Sequence, residues 1–211
     1  MTDYKTVLEK ASAEYVEKRS RFIASVCPVQ TEAEALAFLE TVRSAHREAS
    51  HHVYAYACRE NHIARFSDDG EPAGTAGMPV MHVLQSKGLV DVCVVVTRYF
   101  GGTKLGAGGL VRAYSKSAAD GIEKAGECMQ IRSSVFAVHM DYSLLGRMQY
   151  VIAEENFITL DIQYGEEVVL TLCTACARGA FLKEKLYDAA GGRITFEQLD
   201  DIYYAKKTEA V

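Results

Sequence analysis

The residues with the clearest chemical potential form one stretch: Arg98-Tyr99-Phe100-Gly101-Gly102-Thr103-Lys104-Leu105-Gly106-Ala107-Gly108-Gly109-Leu110-Val111-Arg112. Five glycines in nine residues release the backbone into conformations that side chains forbid. Such a loop, set between a strand and the start of a helix, turns amide donors toward one point, and the helix dipole adds partial positive charge there. Arg98, Lys104, Arg112 and Lys116 bring formal charge, and no acidic residue falls between Val92 and Ala119. Phosphate or carboxylate would suit this composition. Tyr99 and Phe100 offer rings that stack on a base or pack at the end of a strand. A competing reading has Gly101, Gly102, Gly106, Gly108 and Gly109 permit close helix–sheet packing, with Arg98 and Arg112 paired to nearby carboxylates. Neither nucleotide fingerprint is present. Lys104 follows threonine and precedes leucine, unlike the lysine of GxxxxGK[S/T], and Gly106-Ala107-Gly108-Gly109 is GxGG rather than GxGxxG.

A second candidate is acidic. Asp68, Asp69 and Glu71 fall within four residues, in a segment with three glycines and two prolines (67–79) that reads as turns. Beside His51, His52 or His62 they would hold a hard metal or move protons. The favoured reading is structural: carboxylates that bond loop amides or pair with Arg98 and Arg112. His51 and His52 are neighbours in a strand pattern and point to opposite faces, so they do not chelate one ion. Cys173 and Cys176 form a CxxC without a second pair of zinc ligands, and Val168 to Leu172 before them reads as a strand. The six cysteines read as reduced, mostly buried thiols. Ser67 and Ser115 lack the GxSxG setting of a hydrolase nucleophile. No catalytic residue, metal or cofactor is therefore expected.

These groups must be held by a scaffold. Glu14 to Lys18 and Phe22 to Val26 read as strands joined by a basic turn, Lys18-Arg19. Thr31-Glu32-Ala33-Glu34 is a capping box opening a helix through Ala45. His52 to Cys58 alternates as a strand, and Asn61 to Phe66 returns beside it. Pro79 to Gln85 reads as a short helix. Leu89 to Arg98 is a strand apolar enough to be buried on both faces. A helix follows from about Leu110 to Lys124. Beyond residue 132 the pattern is cleaner: a strand at 133–141, a helix at 143–155, a hairpin of 157–164 and 168–175, a helix at 177–190 and a strand at 193–204. That order, βαββαβ, is the ferredoxin-like split arrangement. The expected division is an α+β domain at 1–132 and a ferredoxin-like domain at 133–211.

Taken as an average, the net charge of −5 on 211 residues disfavours anionic partners, but it is unevenly spread. Residues 1–132 carry 16 basic and 16 acidic side chains, whereas 133–211 carry 7 and 12. The stretch Val92 to Ala119 is a basic island of +4 in a neutral domain. Binding of anions should be local. No apolar stretch approaches the roughly 20 residues of a bilayer span. The N-terminus has no basic-then-apolar leader, so the expected location is the cytoplasm.

Several segments resemble the YigZ/IMPACT family. They are Ser20-Arg21-Phe22-Ile23-Ala24, Ala49 to Tyr56, Ser67 to Gly77, Arg98 to Gly102, and Leu105 to Tyr114. The resemblance spans about a hundred residues and continues more weakly beyond them. Met78 departs from it, standing where a basic or polar residue is common. Thr103-Lys104 departs also, since an aliphatic residue often precedes that lysine. The resemblance implies an N-terminal domain like domain 2 of ribosomal protein S5 and a ferredoxin-like C-terminal domain, a pair similar to domains IV and V of elongation factor G. Both likenesses point toward contact with RNA, the ribosome or a translation factor, and eukaryotic members regulate translation. It carries no catalytic residues. The leading expectation is thus a non-enzymatic translation-associated protein that binds RNA through Arg98, Lys104, Arg112 and Lys116, with no role for DNA. Two alternatives stay open at the same loop. One is an enzyme acting on a small phosphorylated or carboxylated substrate through His52, Asp69 or Glu71. The other is a module that docks an acidic protein segment.

Overall fold

The apolar run after Asp91 forms a strand, Val92–Tyr99, and all but its last residue are buried. Burial on both faces follows from its place in the middle of a five-stranded antiparallel sheet. This computed structural model describes residues 2–207, which separate into two units, Tyr4–Met129 with residues 205–207, and Gln130–Tyr204 with residues 2–3.

In the first unit the elements are β1 (Tyr4–Val7), β2 (Ala11–Glu17), β3 (Ser20–Pro28), α1 (Glu32–Ala45), β4 (His51–Cys58), β5 (Ile63–Ser67), α2 (Gly77–Lys87), β6 (Val92–Tyr99) and α3 (Ala107–Ala125). The sheet order is β2-β3-β6-β4-β5. Alternate residues of β6 serve different cores. Val92, Val94 and Val96 pack with Val80 and Leu84 of α2 and with Leu110, Tyr114 and Ile122 of α3. Cys93 and Val95 pack with Phe38, Leu39 and Val42 of α1. Helices thus cover both faces of the sheet, which is why β6 shows no alternation in sequence.

Local signals explain most boundaries. Thr31 caps α1 by accepting the Glu34 amide at 3.2 Å, while the Glu34 carboxylate accepts the Gln30 amide at 2.7 Å. The return bond of the expected capping box therefore lands one residue earlier. Helix α3 begins at Ala107, three residues before the apolar stripe that announces it, because Gly106 at φ +75 turns the chain directly into the helix. β1 had no counterpart in the sequence reading. It is short, and tertiary bonds hold it: Lys5 bridges Leu89 and the Thr6 hydroxyl donates to the Asp91 carbonyl at 3.0 Å.

The second unit follows the expected βαββαβ order. It comprises β7 (Glu127–Met140), α4 (Leu145–Glu154), β8 (Ile158–Tyr164), β9 (Val168–Ala175), α5 (Gly179–Ala189) and β10 (Ile194–Lys207). The sheet runs β1-β7-β9-β8 with β10 also paired to β7, and its β10-β7-β9-β8 part has the order of a ferredoxin-like sheet. Phe136, Val138, Leu170 and Leu172 meet Met148 and Ile152 of α4 and Leu182 and Leu186 of α5. Cys173 is buried in β9, and Cys176 is exposed in the turn before α5. The fold class is α+β in two units.

Candidate anion-binding cleft

The basic residues of the glycine-rich segment do not act together. Arg98, on the β6 face that carries Val92, Val94 and Val96, points into the unit and is 5% exposed. Its guanidinium meets the Glu71 carboxylate at 2.5 Å and donates to the Ser20 hydroxyl at 3.4 Å. The Tyr114 hydroxyl donates to the same Glu71 oxygen at 2.8 Å, and His51 Nε2 lies 3.8 Å from it. Burial and the adjacent Glu71 carboxylate push the Tyr114 hydroxyl far above its ordinary value of 10.0. Arg98 is therefore not available to a phosphate. It neutralises the buried carboxylate of Glu71, and removing either partner would leave a charge uncompensated.

The acidic loop serves structure as well. Asp68 accepts amides from Gly74, Ala76 and Gly77 at 2.8–3.0 Å, which ties the loop to the start of α2. Asp69 accepts the His52 amide at 2.6 Å and lies 3.5 Å from Arg43. The His52 ring reaches the His46 carbonyl at 3.1 Å. Burial lowers the His52 pKa below its ordinary 6.5, outweighing that backbone bond and the nearby Asp69 charge. Among the described residues no group of three His, Cys, Asp or Glu side chains is placed to hold a metal.

Tyr99 goes to the other side of the sheet. Its hydroxyl bonds His46 Nδ1 at 2.9 Å and its ring lies 5.5 Å from the Arg21 guanidinium. It is separated from the exposed basic groups by strand alternation. Phe100 remains half exposed, 5.5 Å from Arg98. Two amides of the loop have partners: Phe100 donates to Ser50 at 3.3 Å and Gly101 to Ser20 at 3.2 Å. Gly101 is obligatory here, since a Cβ at that position would lie 2.1 Å from the Arg19 backbone. This contact stitches the glycine-rich loop to the turn between β2 and β3.

That stitch creates a cleft. Tyr15, Glu17 and Lys18 form one wall; Leu105, Gly109, Arg112, Ala113 and Lys116 form the other, around about 300 Å³. Lys18, Arg112 and Lys116 are exposed there, and Lys104 is exposed on the adjoining loop. Lys116 pairs with Asp120 at 3.0 Å and sits 5.3 Å from the centre of the Tyr15 ring. Lys18, Lys104 and Arg112 close no ion pair among the described residues. Gly106, Ala107 and Gly108 open the first turn of α3 without a side-chain cap or an acidic residue. Lys18 and Arg19 occupy the left-handed region at φ 46 and 68, an unusual conformation for two non-glycine residues. Tyr15 and Glu17 escaped the sequence reading. Their alternation along β2 puts them on one face, but nothing in the sequence says that α3 covers that strand.

The chain is thus a two-domain α+β protein whose first domain matches the Impact N-terminal domain over residues 18–122. Its second domain matches a domain of unknown function, DUF1949, over residues 138–193. An IMPACT family member of Bacillus subtilis, YvyE, is 43% identical over 166 residues, 78% of this chain and 76% of that protein. A Thermus thermophilus member is 39% identical over 188 residues, 85% of this chain and 98% of that one. YigZ of Escherichia coli is 30% identical over 187 residues, 87% of this chain and 92% of its own. A solved structure of a hypothetical protein superposes with a TM-score of 0.60 at 28% identity, covering 95% of this chain and 98% of that one. The chain belongs to the IMPACT family. No helix among the described residues is long and apolar enough to cross a membrane.

Proposed function

We propose that this protein is a non-enzymatic RNA-binding member of the family, engaging RNA of the translation machinery through the cleft between β2 and α3. One observation carries the reading: Lys18 and Arg112 line an open cleft, Lys104 stands exposed on the adjoining loop, and among the described residues none of the three closes an ion pair. Exposed cations without carboxylate partners keep their attraction for phosphate. The enzyme reading loses ground for a complementary reason. Glu71 is committed to Arg98 and Tyr114, and Asp69 to His52 and Arg43, so the groups that reading relied on are tied into structural contacts and do not line the cleft. In this reading Arg98 leaves the RNA-contacting set, Lys18 enters it, and Phe100 remains as a stacking ring at its edge.

The test is binding of a labelled single-stranded RNA, and of ribosomes, across a salt series. Wild-type affinity should fall steeply with salt, and Lys18→Ala, Lys104→Ala and Arg112→Ala should each bind more weakly with a shallower slope. Binding that ignores salt, or none at all, would sink the reading. Preferential displacement by an acidic peptide would instead support the docking module.

A further inference from the structure

The cleft is not uniformly basic. Glu17 lines it beside Lys18, Arg112 and Lys116. Its Oε2 accepts the Tyr15 hydroxyl at 2.8 Å, and among the described residues it closes no ion pair with any of those cations. A carboxylate facing the cavity repels a bare phosphate. A site shaped for inorganic phosphate or for an acidic peptide gains nothing from it. The ligand that fits both halves carries an anion and, one group away, N–H donors. Nucleotides meet that description, and the cavity of about 300 Å³ is at the lower end of the range for small-ligand sites.

The geometry points to Glu17 as a base-reading residue that selects guanine in single-stranded RNA; this inference rests on the RNA-binding reading above. Guanine presents two adjacent donors on its pairing edge, the ring N–H and the exocyclic amine, which match the two oxygens of one carboxylate. A carboxylate has about four lone-pair sites, so the Tyr15 bond leaves capacity for both. Adenine and cytosine offer one exocyclic donor beside a ring acceptor that faces the carboxylate unfavourably. Uracil offers a single ring N–H between two carbonyls. Arg112 and Lys18 take the flanking phosphates, and Leu105 and Ala113 supply apolar wall. Unpaired bases are the usual targets of sequence-specific RNA recognition because their edges are open. Lys18-Arg19 is the two-residue turn of the β2–β3 hairpin, both residues at positive φ as such a turn requires, and it sets Glu17, the last residue of β2, at the rim.

The experiment uses the full chain and four fluorescein-labelled hexamers: hexauridylate and its variants with a single central guanine, adenine or cytosine. Fluorescence anisotropy at low salt should give the guanine hexamer about tenfold tighter binding than the others. Glu17→Gln should abolish that preference while leaving hexauridylate bound as well as before or better, since a repulsive charge is gone. Arg112→Ala should weaken all four alike. If all four hexamers bind the wild type equally, or if Glu17→Gln tightens them all by one factor with the guanine preference intact, the role of Glu17 is refuted and RNA binding stands. If no hexamer binds in a salt-dependent way, the RNA reading itself fails. Thermal melting of each variant separates lost folding from lost recognition.

Discussion

Two arginines on opposite sides of one glycine-rich segment end in opposite environments. Arg98 is enclosed with Glu71, Tyr114 and Ser20. Arg112, in the second turn of α3, stands exposed at a cleft and closes no ion pair among the described residues. Both count equally toward a local charge of +4, yet only Arg112 retains a field that an external anion can feel. Burial and pairing convert the first charge into a fold-specifying contact, while exposure leaves the second open to solvent and to whatever anion approaches. A basic segment is therefore informative about ligands only after its charges have been divided by the direction in which they point.

The division can be broken from the inside first. Arg98→Ala leaves Glu71 buried without its cation and should cost about 3–5 kcal/mol, read as a lower denaturant midpoint of the first unit. Replacing both partners with apolar residues of similar size, Arg98→Met with Glu71→Leu, should recover much of that loss. Next comes the stitch between the walls. Gly101→Ala places a methyl group within the Arg19 backbone and should destabilise by about 1–3 kcal/mol while also weakening RNA binding, because the cleft loses its geometry. Arg112→Ala sharpens the contrast from the other direction. Its stability should change by less than about 0.5 kcal/mol, while the salt slope of RNA binding becomes shallower by about 0.7. An Arg112 variant as unstable as the Arg98 variant would erase the distinction.

The smallest effect concerns pH. His52 has a folded-state pKa below its ordinary 6.5, so the unfolded chain takes up the proton first as pH falls. Its contribution to stability is present above about 6.5 and is lost as pH drops through the folded value. Urea midpoints measured from pH 7.5 to 5 should decline, and His52→Gln should flatten part of that slope.

Much of this was legible beforehand. The second unit could be read element by element, since its helices and strands each bury one face and leave period 3.6 or period 2 in the sequence. The structural roles of Asp68 and Glu71 also followed from turn chemistry and the nearness of opposite charge. The orientation of Arg98 did not. β6 is apolar on both faces, so the alternation that would have assigned Arg98 and Tyr99 to opposite sides is absent. The other wall of the cleft was hidden for a different reason. Tyr15, Glu17 and Lys18 meet Arg112 and Lys116 only through the packing of α3 on β2, a long-range contact that no local pattern encodes. β1 was missed because four residues near the terminus gain their strand geometry from partners far along the chain.

The Gly101–Arg19 contact has a consequence for the order in which the protein comes into being. One wall of the cleft leaves the ribosome with the first hairpin; the other is complete only when Lys116 has been synthesised. Until then Lys18 and Arg19 sit on a nascent chain whose strand β2 lacks the helix that covers it. The cleft is thus absent from every incomplete chain that ends before α3. A newly made molecule acquires it late, after the N-terminal sheet has received its central strand, so premature termination yields products without the assembled cleft.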